Sequence, residues 1–146
     1  MRKVIVLCGH GNYATGMQSA LEFLAGSNED MFYVNFLEAD TEVTLREKYA
    51  AIIEKNPYTE FLFVCDLLGG TPFKVAAEIT NDTENMELVA GCNVSGILEM
   101  VLTKDGFTLS QLAEQMIEVS KNSTLKFNKI DVNSASPTED IDEGGI

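Results

Sequence analysis

Three features of this 146-residue sequence have the residue types and spacing for chemistry: one histidine, one aspartate and one glycine-paired turn. His10 is the only histidine and lies between Gly9 and Gly11. Glycine flanks leave an imidazole accessible and free the backbone for unusual angles. Asp66 directly follows the apolar run Phe61-Leu62-Phe63-Val64-Cys65. A carboxylate there is suited to hold one ring nitrogen of His10, fix its tautomer and leave the other nitrogen as a nucleophile. Gly69-Gly70-Thr71-Pro72 then turns the chain into a helix. Free N–H groups and the dipole at a helix start form an anion site. Gly69 and Gly70 let an anion come close, and the Thr71 hydroxyl is a further donor. Each feature alone has an ordinary reading, as a surface histidine, a strand-end acid or a capped turn. Together they describe an imidazole able to accept a phosphoryl group and a cradle able to hold its oxygens. No P-loop, Walker-type lysine or acid cluster for magnesium accompanies them, so a phosphoprotein suits the donor role better than ATP.

These residues need a scaffold that brings position 10 to position 66. Short apolar runs over 3–8, 32–37, 61–65 and 87–90 read as buried strands. Between them run helical stripes: Met17, Ala20, Leu21 and Leu24 before Gly26, then Leu45, Tyr49, Ile52 and Ile53 before Asn56-Pro57. Pro72 fits the start of a helix continuing through Phe73, Ala76 and Ala77. Ile97, Leu98, Val101 and Leu102 form another stripe, and Thr108 with Gln111 is a capping-box pattern opening a last helix. This alternation predicts an α/β fold: a doubly wound, mainly parallel four-stranded sheet flanked by helices. In a flavodoxin-like strand order, ligands bind between strands 1 and 3, where the His10 and Asp66 segments fall.

The net charge is −13. Five of the acids and none of the bases lie in residues 131–146, which leaves −8 for the rest. Such a surface repels nucleic acid and anionic lipid and favours a basic protein partner. No apolar run approaches the ~20 residues of a membrane span. Cys8, Cys65 and Cys92 are widely spaced, odd in number and set in apolar segments. They read as reduced thiols, and a cytoplasmic location is expected. A domain over 1–130 and an acidic, disordered tail over 131–146 are expected.

The motifs carry a resemblance. Val4-Ile5-Val6-Leu7-Cys8-Gly9-His10-Gly11, Phe63-Val64-Cys65-Asp66-Leu67-Leu68-Gly69-Gly70-Thr71-Pro72-Phe73 and Ala90-Gly91-Cys92-Asn93 are similar to segments of the IIA component of the mannose-type sugar phosphotransferase system. That family serves mannose, fructose, sorbose and N-acetylgalactosamine transporters, and the resemblance spans roughly residues 1–130. It implies that His10 is phosphorylated on the nitrogen facing away from Asp66, that Asp66 orients the ring, and that Gly69, Gly70, Thr71 and Pro72 help hold the phosphoryl group. It implies HPr as donor, a IIB component on a separate polypeptide as acceptor, a membrane sugar permease complex further on, and no metal or organic cofactor. It also implies a homodimer in which a C-terminal edge strand, 124–130 here, is exchanged between subunits. Where family members often read Asn-Leu-Pro, this chain has Asn93-Val94-Ser95.

Other readings compete. A flavodoxin-like electron carrier fits the size, acidity and fold, with Asn12 and Thr15 near a helix start. It finds no tryptophan to stack on a flavin and no role for His10. A binding module would use the anion cradle without transfer. A zinc site from Cys8, His10 and Cys65 lacks any paired Cys-x-x-Cys.

Overall fold

The computed structural model describes residues 1–131. Its elements run β1 (Arg2–His10), α1 (Tyr13–Ala25), β2 (Met31–Phe36), α2 (Glu42–Lys55), β3 (Thr59–Cys65), α3 (Thr71–Asn81), β4 (Met86–Ala90), α4 (Val94–Thr103), a 3-10 turn (Lys104–Gly106) and α5 (Leu109–Asn122). The four strands are parallel in the order β2-β1-β3-β4. This is the doubly wound order expected, with its switch between β1 and β3.

The apolar runs become the two central strands because both their faces are covered. Ile5, Leu7, Leu62 and Val64 point to one side, where Ala14, Leu21, Ile97, Met100, Leu112 and Met116 close over them. Val4, Val6, Cys8, Phe61, Phe63 and Cys65 point to the other, against Leu45, Tyr49, Val75 and Ala76. A fully buried Leu, Val or Phe contributes about 1.5–3 kcal/mol, so this double-sided packing is what fixes β1 against β3. The register pairs Cys8 with Cys65. The chains leaving those two positions therefore emerge side by side.

The helix ends follow the local chemistry. Gly26 takes φ +77 to end α1. Thr108 and Gln111 form the expected capping box, and Thr41 with Thr44 forms a second one. The α4 stripe departs from expectation: Ile97, Met100 and Val101 are buried, while Leu102 is 67% exposed. Contact with α5 sets that rotation. A Cβ on Gly96 would lie 2.7 Å from the Met116 carbonyl oxygen, so α4 meets α5 at this glycine.

Residues 124–130 are exposed and form no strand within the described chain. The edge strand expected over 124–130 is therefore not seen in the described chain. The expected acidic tail lies outside the described residues, save Asp131.

Candidate active site

His10 is the last residue of β1, and its N–H-bonded neighbour across the sheet is reached one residue past the end of β3. The Asp66 N–H donates to the Cys8 carbonyl at 3.0 Å, which extends the β1–β3 ladder by one rung and anchors Asp66 beside the histidine. The Asp66 carboxylate turns back over β1. Oδ2 accepts the His10 backbone N–H at 2.9 Å and Oδ1 accepts the Leu67 N–H at 2.9 Å. Oδ2 also meets His10 Nδ1 at 2.7 Å. A carboxylate can only accept, so the ring nitrogen is the donor in this contact. The proton is thus held on Nδ1, and the Nε2 lone pair is left facing outward. The His10 side chain is 45% exposed, whereas that of Asp66 is 13% exposed. Phe36, at the end of β2, sets its ring edge-on to the imidazole with centroids 5.9 Å apart.

The Gly69-Gly70-Thr71-Pro72 turn closes the other side. Gly69 takes φ +91, a left-handed angle suited to glycine. Gly70 is the N-cap of α3 with an ordinary φ of −74, so flexibility is not what it supplies. A Cβ there would lie 2.6 Å from His10 Cε1 and 3.1 Å from Nε2. Its bare Cα is therefore the space into which the imidazole fits. The α3 N-terminus has no side-chain cap, and Pro72 carries no N–H. The Thr71 and Phe73 amides and the positive end of the helix dipole are left to an anion. Thr71 is the first helical residue and is half-buried, and Pro72 is the second and is buried.

The glycine flanks of His10 differ in role. Gly11 has φ +57, as expected of a residue that must turn the chain. Gly9 does not have a positive φ. A Cβ at Gly9 would meet Tyr13 Cδ1 at 2.5 Å and Asp66 Cγ at 2.8 Å, so it provides room rather than angle. Tyr13 and Phe36 both touch the site and neither was marked by a sequence motif. The only signal for Tyr13 was its place four residues after Gly9.

Cys8 and Cys65 lie directly beneath, their sulfurs 3.1 Å apart and both wholly buried. The Cys8 hydrogen bond and burial push the Cys65 thiol well above its ordinary range. Among the described residues, no three His, Cys, Asp or Glu side chains are placed to hold a metal. All three cysteines are free thiols. At the start of α1 the Thr15 N–H already donates to Asn35 Oδ1 at 3.2 Å, and Asn35 Nδ2 donates to the Thr15 hydroxyl at 2.9 Å. These groups satisfy one another rather than an incoming flavin phosphate. No helix among the described residues is long and apolar enough to cross a membrane.

Comparison with known proteins agrees with the fold. Residues 4–117 match the EIIA-man family, described as the PTS system fructose IIA component. The chain is 27% identical over 120 residues to the fructose-specific EIIA component of Bacillus subtilis, covering 82% of each protein. It is 30% identical over 139 residues to the mannose-specific EIIAB component of Escherichia coli, covering 94% of this chain and 43% of that one. Among solved structures, the phosphotransferase system component EIIA from Streptococcus agalactiae superposes with a TM-score of 0.79 at 28% identity, over 85% of this chain and 96% of that one. The mannose/sorbose-specific IIA subunit from Enterococcus faecalis has the same fold, with a TM-score of 0.82 at 22% identity over 90% and 99% of the two chains.

Proposed function

The chain belongs to the EIIA-man family of phosphotransferase-system IIA components, and on that premise we propose that it is a phosphohistidine carrier. Phosphoryl transfer in sugar uptake is the family's work. The finer reading is that His10 accepts the group from phospho-HPr and passes it to a IIB component. One observation carries it: the Nε2 lone pair of an Asp66-held imidazole opens beside the uncapped start of α3.

The residues divide the reaction between them. His10 Nε2 attacks the phosphorus of the donor's phosphohistidine. A nitrogen–phosphorus bond forms on His10 as the one on the donor breaks. The bonding pair leaves with the donor imidazole, which takes a proton from solvent. Asp66 keeps the His10 proton on Nδ1 and faces the positive charge that spreads over the ring as Nε2 is substituted. The Thr71 and Phe73 amides, with the Thr71 hydroxyl, receive the equatorial oxygens, and Gly69 and Gly70 let them approach. The bond broken and the bond made are alike, so the step runs near thermoneutral in either direction.

Transient handover needs a small, quickly released interface. Leu67 and Leu68 are 49% and 77% exposed, and Leu37 is 44% exposed just past Phe36. They supply an apolar rim for docking, and the net negative charge steers a basic donor toward it. A homodimer with 124–130 exchanged is part of the same proposal, since Leu125 and Phe127 are 84% and 72% exposed in the single chain.

Incubation with phosphoenolpyruvate, enzyme I and HPr tests the reading. Mass spectrometry is expected to find one added phosphate, acid-labile and absent from His10→Ala. The parent protein staying unmodified, or His10→Ala becoming phosphorylated, overturns it.

A further inference from the structure

We infer that Tyr13 is a positioning residue whose ring forms the dry wall behind Asp66 and thereby sets the tautomer of His10. The inference rests on the phosphocarrier reading for its functional consequence, but its structural core stands apart from it.

The argument begins at Gly9. Two groups converge on its bare Cα: the Tyr13 ring, with Cδ1 and Cγ 2.5 and 2.8 Å from where a Cβ would stand, and the Asp66 carboxyl carbon at 2.8 Å. Both therefore converge on the same point of β1, one residue before His10, each within 3 Å of it. Tyr13 is the first residue of α1, held by the positive-φ turn at Gly11 and packed into the core between the sheet and α1, α4 and α5. Its ring is consequently fixed in the core, beside the point of β1 that the Asp66 carboxyl also approaches.

Asp66 accepts hydrogen bonds from the Leu67 N–H on one oxygen and from the His10 N–H and Nδ1–H on the other. Without a wall, water would compete for those oxygens and the carboxylate could rotate. The Tyr13 hydroxyl does not join the network. It is buried and has no hydrogen-bond partner among the described residues. Burial first, and the Asp66 charge second, push it up to about 12. Tyr13 therefore acts through the ring face and not through its oxygen. A dry carboxylate locked to Nδ1 keeps the Nε2 lone pair free, whereas a hydrated one lets the neutral imidazole populate the other tautomer, in which Nε2 carries the proton and cannot attack.

The test compares Tyr13→Phe, Tyr13→Leu and Tyr13→Ala. The nitrogen-15 shifts of the His10 ring report the tautomer, and single-turnover transfer from phospho-HPr reports its use. Tyr13→Phe is expected to keep the parent ring shifts and rate, with equal or higher thermal stability, since only an unpartnered hydroxyl is lost. Tyr13→Ala and Tyr13→Leu are expected to move the two ring shifts toward each other and to slow transfer on the order of tenfold. If alanine unfolds the protein, the leucine variant gives the reading. Parent-like ring shifts in the folded wall-less variants overturn the inference, as does Tyr13→Phe behaving like Tyr13→Ala. If no variant and no parent accepts phosphate, the phosphocarrier reading fails while the ring shifts still decide the role of Tyr13.

Discussion

The two ends of the sheet use charge in opposite ways. At the N-terminal end of the strands, Asp30 receives Lys104 Nζ at 2.7 Å and Arg2 Nε at 2.6 Å. Arg2 also donates to the Asn56 side chain and the Glu29 carbonyl. Each of the three Arg2 guanidinium nitrogens and the Lys104 ammonium meets an acceptor, and the cluster ties β1 to the α1–β2 and α2–β3 connections and the turn after α4. At the C-terminal end, Asp66 is equally well bonded, but the group it holds is not. His10 keeps one nitrogen free, and the start of α3 keeps its amides uncapped. The same fold thus has an end that is electrostatically closed and an end that is open. An open site requires that its side chains have room to stand in place, and here Gly9 and Gly70 provide it.

The sharpest way to break this contrast is to fill that space. Gly70 has φ −74, which alanine adopts without strain, so Gly70→Ala tests room alone. Its methyl group would stand 2.6 Å from His10 Cε1. The ring must move, and displacement by about 1 Å costs transfer on the order of 100-fold. Single-turnover phosphorylation by phospho-HPr measures this. Thermal stability is expected to change little, because the ring is exposed enough to swing outward. A fast Gly70→Ala variant would show that the imidazole does not work from the position seen.

How far such details are legible in the sequence depends on whether they are local. His10, Asp66 and the Gly69–Pro72 turn stand out because each terminates or follows an apolar run, and strand order puts those ends together. The α/β alternation and both halves of the Thr108 capping box are equally local. Gly9 and Gly70 are different. A glycine in a sequence suggests angular freedom, and at Gly11 and Gly69 that holds. At Gly9 and Gly70 the reason is a side chain brought from elsewhere in the fold. Leu102 departs from its apolar stripe for the same reason: the close approach of α5 at Gly96 rotates α4 and brings Met100 inward instead. Lys104 is the plainest case. Nothing local marks this residue, yet Lys104 is 5% exposed, and its partner Asp30 lies 74 residues away in the chain.

That lysine gives the next prediction. Lys104→Ala is expected to lower stability by about 2 kcal/mol, less than for a wholly orphaned buried charge because Arg2 still serves Asp30. Transfer by His10 should be unaffected. The pH dependence follows from Asp30. Burial raises its pKa, but the Lys104 and Arg2 hydrogen bonds outweigh burial and leave it lowered. A carboxyl lowered on folding contributes stability that is complete above its unfolded value of about 4 and is lost as pH falls through the folded value. Denaturation curves at pH 7 and pH 3 should therefore differ more for the parent than for Lys104→Ala. Equal acid sensitivity would mean that the closed end is not held by this pair.

The smallest effect concerns strain. Left-handed backbone at a non-glycine residue is commonly found at functional sites, where strain serves the chemistry. Here the positive angles around His10 fall on glycines, and the only described non-glycine with positive φ is Tyr58, at +57, in the turn that enters β3 at the closed end. Its side chain is 89% exposed, so little packing compensates. An L-residue in this conformation costs about 1–2 kcal/mol, and glycine gives back part of that through the entropy of its unfolded chain. Tyr58→Gly should therefore gain about 0.5 kcal/mol, a rise in melting temperature of about 1–2 °C in calorimetry. Tyr58→Ala keeps the strain and should gain nothing. Both should transfer phosphate at the parent rate. If glycine brings no gain while alanine destabilises, the tyrosine ring contributes contacts worth the strain, and the closed end holds its shape through this turn as well as through its ion pairs.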